Sequence, residues 1–338
     1  MNPNRRQTLQ MGLGFGLGLG LMAMGPARVF AADTAERDEA ARLIWRERLL
    51  TGFGTTLWLR AADVSADKVD ASLDRAVQSL RSIEAQMNLF DADSAISRLN
   101  RSGELKNPAQ PLLQVLKLSA DISAGSGGAF DVSMQPLWDV WTRARSEQRL
   151  PTSAELARAK QKVSWRAVDV SAAQIRLPRH HAISLNGIAQ GYAAEVLRAQ
   201  LRAAGIRHAM LDTGETAVLG QGPSATPWTF SIEDVHEVAK PAQAPRIAVP
   251  DGYAVATSSD AHTVFTEDRV HHHILDPRTG DSPSHWSSVT VMSRSAALAD
   301  GLTKVFFMLP PEQVAQAARR WEVSVVLQDK RGQWHRAG

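Results

Sequence analysis

Two stretches of this sequence concentrate groups that can hold a phosphate or move a proton. The first is Leu185-Asn186-Gly187-Ile188-Ala189-Gln190-Gly191-Tyr192-Ala193. It reads as the end of a strand, a turn bracketed by two glycines, and the start of a helix. The leading N–H groups of a helix have no partner within it and attract an anion, and glycine lets a phosphate approach the backbone. That suits a pyrophosphate. The same spacing equally suits a tight strand-to-helix turn that binds nothing. The second stretch is His271-His272-His273-Ile274-Leu275-Asp276-Pro277-Arg278-Thr279-Gly280, with Ala299-Asp300-Gly301-Leu302-Thr303-Lys304 following about twenty residues later. Neighbours in a strand face opposite ways, so His271 and His273 share a face and His272 points away. Asp276 to Gly280 is a turn set by proline and glycine. Within it, Arg278 suits a phosphate or a carboxylate. A transition-metal site built on these histidines with His285 would need facing donors that the pattern does not supply.

Two further segments are irregular enough to carry function: Asn88 to Asn100, and Gly127 to Leu137 with Phe130 and Asp131. The plain alternatives are that Phe130 is core and that Asp131 and Asp276 cap turns.

The elements that must position these groups follow from periodicity. Asp33 to Leu49 has helical spacing, and Thr51 to Ala62 alternates as a strand. Val69, Leu73, Val77, Leu80, Ile83 and Met87 stripe one face of a long helix over 67–87. Short helices are expected over 94–99, with Ser94 as cap, and over 112–122, ending in Gly125-Ser126-Gly127-Gly128. Beyond residue 160, apolar strands over 183–185, 209–211, 228–232, 253–257, 289–292 and 323–327 alternate with helices over 188–204 and 296–308. Residues 237–250 read as an irregular loop. No proline- or serine-rich linker divides the chain. The expectation is one α+β unit, with a helical N-terminal part packed on a mixed β-sheet core.

Composition bounds the class. The chain has 338 residues, 44% hydrophobic and 22% charged, and no cysteine. This excludes disorder, a disulfide scaffold, thiolate metal sites and a cysteine nucleophile. The formal net charge of +3 is carried by Arg5, Arg6 and Arg28, so the rest is formally neutral. That leaves no basic face for nucleic acid. Residues 1–32 combine a charged start, an apolar run from Met11 to Met24 and small residues near Ala31 and Ala32. This is the pattern of a cleaved export signal. The run is shorter than the ~20 residues of a membrane span. Arg5-Arg6 ahead of a glycine-rich, weakly apolar run is the twin-arginine arrangement, so a periplasmic protein is expected, with 33–338 as the mature domain.

Taken together, in this order and spacing, the motifs resemble the FAD:protein FMN transferase family, the ApbE-type flavin transferases, over about residues 50 to 328. They are Ser-x-Ile-Ser-x-Leu-Asn at 94–100, Gly-Ala-Phe-Asp at 128–131, Asn-Gly-Ile-Ala-x-Gly-Tyr at 186–192, Thr-Ser at 257–258, His-Ile-x-Asp-Pro-x-Thr-Gly at 273–280 and Ala-Asp at 299–300. The resemblance implies a T-fold-like core and an exported enzyme. Such an enzyme splits FAD and attaches FMN through a phosphoester to a Thr or Ser of an acceptor protein, here a membrane-associated electron-transfer protein. Magnesium would assist, held by the Ala189 carbonyl and the Asp300 carboxylate. His273 would be the general base. Asn100, Phe130, Asp131, Gly187, Ala189, Gln190, Asp212, Thr257, Ser258 and Thr279 would line the flavin nucleotide site.

Four positions depart from the family's pattern. Gln190 stands where many members have Lys, Gly214-Glu215 where many have Gly-Gly, and Phe53 where Met is usual. Asn186, Gln190 and Glu215 resemble the branch linked to nitrous-oxide reductase maturation. The fourth is Lys304, where the family places a Thr four residues after the metal-binding Asp. Thr303 precedes it, and on a helix both positions lie near Asp300. Either Thr303 takes over as metal ligand, or the Lys304 ammonium occupies the cation's place. An ammonium there would repel magnesium, since two unit charges at 4 Å are worth roughly 4 kcal/mol at an effective dielectric of 20. The alternative function is an FAD-binding maturation protein with little or no transferase activity.

Overall fold

The structure, a computed structural model, describes residues 41–236, 245–261 and 263–338. The export segment expected over 1–32 and its boundary lie outside the described residues, as does most of the loop expected over 237–250.

Eight strands form the central sheet, and β3 (Glu104–Lys106), β4 (Asp169–Val170) and β5 (Gln174–Arg176) form a small separate one. In chain order the eight are β1 (Ile44–Gly52), β2 (Thr55–Asp63), β6 (His208–Asp212), β7 (Thr216–Leu219), β10 (Ala254–Ser259), β11 (Trp286–Ser293), β12 (Ser324–Asp329) and β13 (Trp334–Ala337), and they lie side by side in that order. Every ladder is antiparallel, so the sheet expected as mixed is not. Alternation sorts the two faces. Leu57, Leu59, Ala61, Leu211, Ala256, Val289 and Val291 enter the main core. Trp58, Met210, Val255 and Met292 point to the other side. There the ribbon of β8 (Trp228–Ser231) and β9 (Arg246–Val249) covers them with Trp228, Phe230 and Val249.

Helices cover the main face. Helix α1 (Ala66–Met87) starts where the Ser65 side chain accepts the Lys68 N–H. It buries Val69, Leu73, Leu80, Ile83 and Met87 on the face its spacing predicts. It is followed by α2 (Ala95–Ser102), capped by Ser94, and α3 (Gln110–Gly125). Next come α4 (Gln135–Ser146) and α5 (Ser153–Lys160), which pack together around Leu137, Trp141, Ala159 and Leu275 as a satellite cluster. Helices α6 (Ala189–Ala203) and α7 (Ala296–Phe307) lie against each other and against the middle of the sheet. Their approach is close: a Cβ on Gly191 would run into the Ala296 carbonyl and the Asp300 Cβ. Helix α8 (Pro311–Trp321) leads to β12.

Four expected elements differ. Within the loop expected over 237–250, residues 246–249 are strand β9, paired with β8. Residues 44–49 are strand, because β1 pairs with β2 along its whole length and Arg48 bridges to Asp70 and Asp74 of α1 at 2.9 and 2.8 Å. The strand expected over 51–62 is broken by a two-residue hairpin turn. Phe53 and Gly54 both adopt positive φ, 48° and 75°, the geometry that matches strand twist. The Phe53 N–H in that turn is held by the buried Glu84 carboxylate at 2.7 Å. Residues 183–185 form no ladder. Asn100 takes over the pairing, donating to the Ile183 carbonyl and accepting its N–H, both at 2.8 Å.

Candidate active site

A cleft of 220 Å³ opens where the α6–α7 pair, the ends of β7 and β10, and the satellite cluster meet. Four of the expected motifs converge on it, together with Lys304. Phe130 and Asp131, Gly187 and Gln190, Thr257 and Ser258, His273 and Lys304 all line it. Trp138, Met134, Leu275 and Pro277 close the satellite side.

The floor is the α6–α7 junction. Asp300 is sealed, its side chain 1% exposed, and both its oxygens are engaged. Oδ2 accepts the Gly191 N–H at 3.1 Å, and Oδ1 accepts the Lys304 ammonium at 2.5 Å. The same ammonium donates to the Asp300 carbonyl at 3.2 Å. The negative group at the N-terminus of α6 is therefore Asp300 itself. The Ala189 N–H is likewise spent, on the Leu185 carbonyl at 2.8 Å. Thr303 is fully buried; its hydroxyl donates to the Asp300 carbonyl and bonds to the Ser258 hydroxyl, each at 2.7 Å.

A divalent cation of magnesium's kind takes a compact shell of oxygen ligands and waters. The residues present do not fit one. Neither carboxylate oxygen of Asp300 is unengaged, the Thr303 hydroxyl is committed twice, and a lysine ammonium fills the space beside them. Of the metal set expected from Ala189, Asp300 and Thr303, the Asp300 carboxylate is held instead in an internal ion pair and the Thr303 hydroxyl in two hydrogen bonds. The histidine metal site fails separately. His271 pairs with Asp281 at 2.7 Å and stacks on Trp141, while His272 is buried. Among the described residues no three His, Cys, Asp or Glu side chains come together as ligands.

Glu215, which the motifs did not mark as a site residue, also lines the cleft. It sits in the hairpin between β6 and β7 and accepts the Thr257 N–H at 2.9 Å. Burial, and then the charge of Asp300, push its carboxyl well above the usual range, while Lys304 pulls it down. Its signal in the sequence was an acid in the tight Asp212-Thr213-Gly214-Glu215 turn between two apolar strands. Gln190 lies against that turn: a Cβ on Gly214 would collide with its amide.

His273 stands on the opposite wall. Its Nδ1 lies 3.1 Å from the Thr263 carbonyl, which can only accept. Nδ1 therefore carries the proton of the neutral ring, and the basic lone pair is on Nε2. The Trp138 ring meets it edge-on at 6.3 Å. The floor offers a cation to an anionic ligand, the far wall a base, and Phe130 and Trp138 flat surfaces for a ring.

Several expected site residues act behind the cleft. Asp131 reaches its lining, but its oxygens bind the Ser133 N–H and hydroxyl and the Trp165 N–H, at 2.8, 2.6 and 3.0 Å. Asp212 is buried and holds the Gly214 N–H at 3.0 Å. Asn100 fixes Ile183. Thr279 accepts the Asp281 N–H at 3.2 Å in the turn that Asp276 and Arg278 lock at 2.7 Å. Asn100, Ala189, Asp212, Thr279, Asp300 and Thr303 are absent from the cleft lining.

The sequence matches the ApbE family over residues 53–327, most of the chain. This chain belongs to the ApbE family. It is 29% identical over 258 residues to the FAD:protein FMN transferase of Vibrio cholerae, covering 73% of this chain and 76% of that protein. It is 26% identical over 294 residues to one of the same name from Klebsiella pneumoniae, covering 82% and 83%. The fold is that of the flavin transferase ApbE from Vibrio cholerae, with a TM-score of 0.74 at 23% identity over 88% of this chain and 98% of that one. The ApbE match spans both walls of the cleft, from the Phe53 turn to β12.

Proposed function

We propose that this chain is an exported FAD:protein FMN transferase. The observation that carries the reading is the convergence of a lysine ammonium, a histidine base and aromatic faces in one cleft, in a chain whose curated relatives bear that activity as their name. The flavin dinucleotide lies across the cleft with its pyrophosphate over the Gly187 turn and Lys304. The acceptor's Thr or Ser hydroxyl attacks the FMN phosphorus. One O–P bond forms, the bridging P–O bond breaks, and AMP leaves with the bridging oxygen. The hydroxyl proton passes to His273 Nε2. Phosphoryl transfer asks little more of a protein than alignment and charge neutralisation. The acceptor is a separate protein, and the proposed class is a membrane-associated electron-transfer protein.

The test is incubation of the mature chain with FAD and a Thr-containing acceptor domain, read by mass spectrometry. The expected result is an acceptor heavier by one FMN less one water. An unmodified acceptor under every condition would reject transfer. Lys304 favours a second reading, an FAD-binding maturation protein without transfer, because its ammonium occupies the place the resemblance gives to magnesium. The same assay, paired with FAD binding, separates the two. Export through the twin-arginine route rests on Arg5-Arg6 and the run after them. It predicts a periplasmic product that stays in the cytoplasm when Arg5 and Arg6 are both changed to Lys.

A further inference from the structure

Among the polar groups of the cleft floor, the Asp300–Lys304 pair is lopsided. The acid is sealed at 1% exposure, while the lysine side chain is 21% exposed and lines the cleft. The pair lies within α7, one turn apart, so it is the Asp300–Gly191 bond that ties α7 to α6, and the ammonium is left facing the cleft. We propose that the Lys304 ammonium is the resident cation of this cleft and takes the charge of a dinucleotide pyrophosphate, so that binding needs no divalent metal. This rests on the reading of the cleft as a flavin-dinucleotide site.

Three features of the geometry support it. First, an ammonium has three N–H donors. Two go to Asp300, to Oδ1 at 2.5 Å and to its carbonyl at 3.2 Å, which leaves one for a ligand oxygen. Second, the lysine stem crosses the Gly187 turn. A Cβ at that position would stand 3.2 Å from Lys304 Cε and 3.4 Å from the Phe130 ring. The ammonium is thereby set beside the backbone of the turn that leads into α6, with an aromatic face next to it. Third, Asp300 is fixed by the Gly191 N–H at 3.1 Å, so the cation it holds is fixed as well. A lysine serves phosphate as a point charge. Held this way it loses little further freedom on binding.

The experiment follows FAD binding to the full mature chain by flavin fluorescence, with magnesium and with EDTA. In parallel, manganese is offered as a metal probe and read by electron paramagnetic resonance. The wild type is expected to bind FAD equally well with EDTA and to leave manganese free, with or without FAD. Lys304→Met is expected to weaken FAD binding on the order of ten- to a hundredfold, the size of a lost hydrogen bond to a charged group. Lys304→Arg, which keeps the charge, is expected to recover most of that loss. The metal arms use only the wild type, so they stand even if a variant fails to fold. Wild-type FAD binding that needs magnesium, manganese held at the site, or Lys304→Met binding FAD as the wild type does would each overturn the proposal. Absence of FAD binding under every condition would overturn the reading of the cleft and this proposal with it. Metal-free FAD binding without transfer would sink the transferase reading alone and uphold this one.

Discussion

The two walls of the cleft are built on different foundations. The polar wall, with Gly187, Gln190, Ser258 and Lys304, stands on α6, α7 and the sheet, inside the main core. Its polar groups are tied to one another: Asp300 to Gly191 and Lys304, Thr303 to Ser258. The aromatic wall, with Trp138, His273 and Leu275, stands on the small cluster of α4 and α5. On the first wall the group that meets a ligand, Lys304, is held by the group that ties α6 to α7, Asp300. On the second, chemistry and stability are carried by different residues, so a substitution there can remove one and leave the other.

The largest effect expected from this difference is kinetic. His273→Ala removes the proposed base and should slow FMN transfer on the order of 10²- to 10⁴-fold. FAD affinity should stay within a few-fold of wild type and the melting temperature should be unchanged. Single-turnover labelling, FAD titration and thermal melts together decide it. A large fall in stability would place His273 in the structural frame and erase the contrast between the walls.

On the polar wall the same kind of deletion should cost stability first. Asp300→Ala leaves the Lys304 ammonium and the Gly191 N–H without their partner. Removing one member of a buried pair costs about 3–5 kcal/mol, and the cleft access of Lys304 places the effect at the lower end, about 3 kcal/mol. Urea unfolding reads this directly. Asp300→Asn, which keeps the shape and a hydrogen-bond acceptor, should lose less.

A third effect of similar size belongs to pH. His272 is fully buried, and burial pushes its pKa down to about 4 from 6.5. Its neutral ring fits its neighbours: Nε2 lies 3.4 Å from the Pro283 carbonyl, and Nδ1 lies 3.4 Å from the Ile274 N–H. The unfolded chain takes up this proton first. The group's contribution is therefore whole above about pH 6.5, is lost as pH falls toward 4, and changes no further below that. Linkage puts the loss between pH 7 and pH 5 at about 2 kcal/mol. Urea midpoints at the two pH values should show it in the wild type and show it much reduced in His272→Gln.

These contrasts also mark what a sequence can disclose. The α1 stripe was legible because a 3.6-residue period depends on one element alone. The β1 strand was not, because its reason for being a strand is the ladder with β2 and the pairing of Arg48 with α1, which are made only on folding. Within the site, residue type announced which groups could bond, and the chain brought Phe130, Gly187, Ser258 and His273 to one cleft. Type did not announce whom each group would bond. Asp131, Asp212 and Asn100 have the chemistry of ligand-binding residues, yet spend their side-chain bonds on backbone and neighbouring groups of the protein. Glu215 shows the reverse: its place near Asp300 depends on how the β6–β7 hairpin folds against α6, on which α7 packs.

The smallest effect tests whether the aromatic wall has any structural lock of its own. Trp141 stacks on His271 and Phe265, with ring centres at 4.7 and 5.3 Å, and its Nε1–H donates to the buried Gly280 carbonyl at 2.9 Å. Gly280 sits at φ 83° and ends the turn that follows His273. Trp141→Phe keeps an aromatic ring for stacking and removes the donor, leaving a buried carbonyl unpaired. That should cost about 1–2 kcal/mol, less than the loss at Asp300. Because the turn and His273 share one short segment, the same change should also lower FMN transfer a few-fold while leaving FAD affinity intact. Equal losses in Trp141→Phe and Asp300→Ala would mean the satellite cluster is as deeply tied into the fold as the α6–α7 junction, and the two walls would then be one foundation.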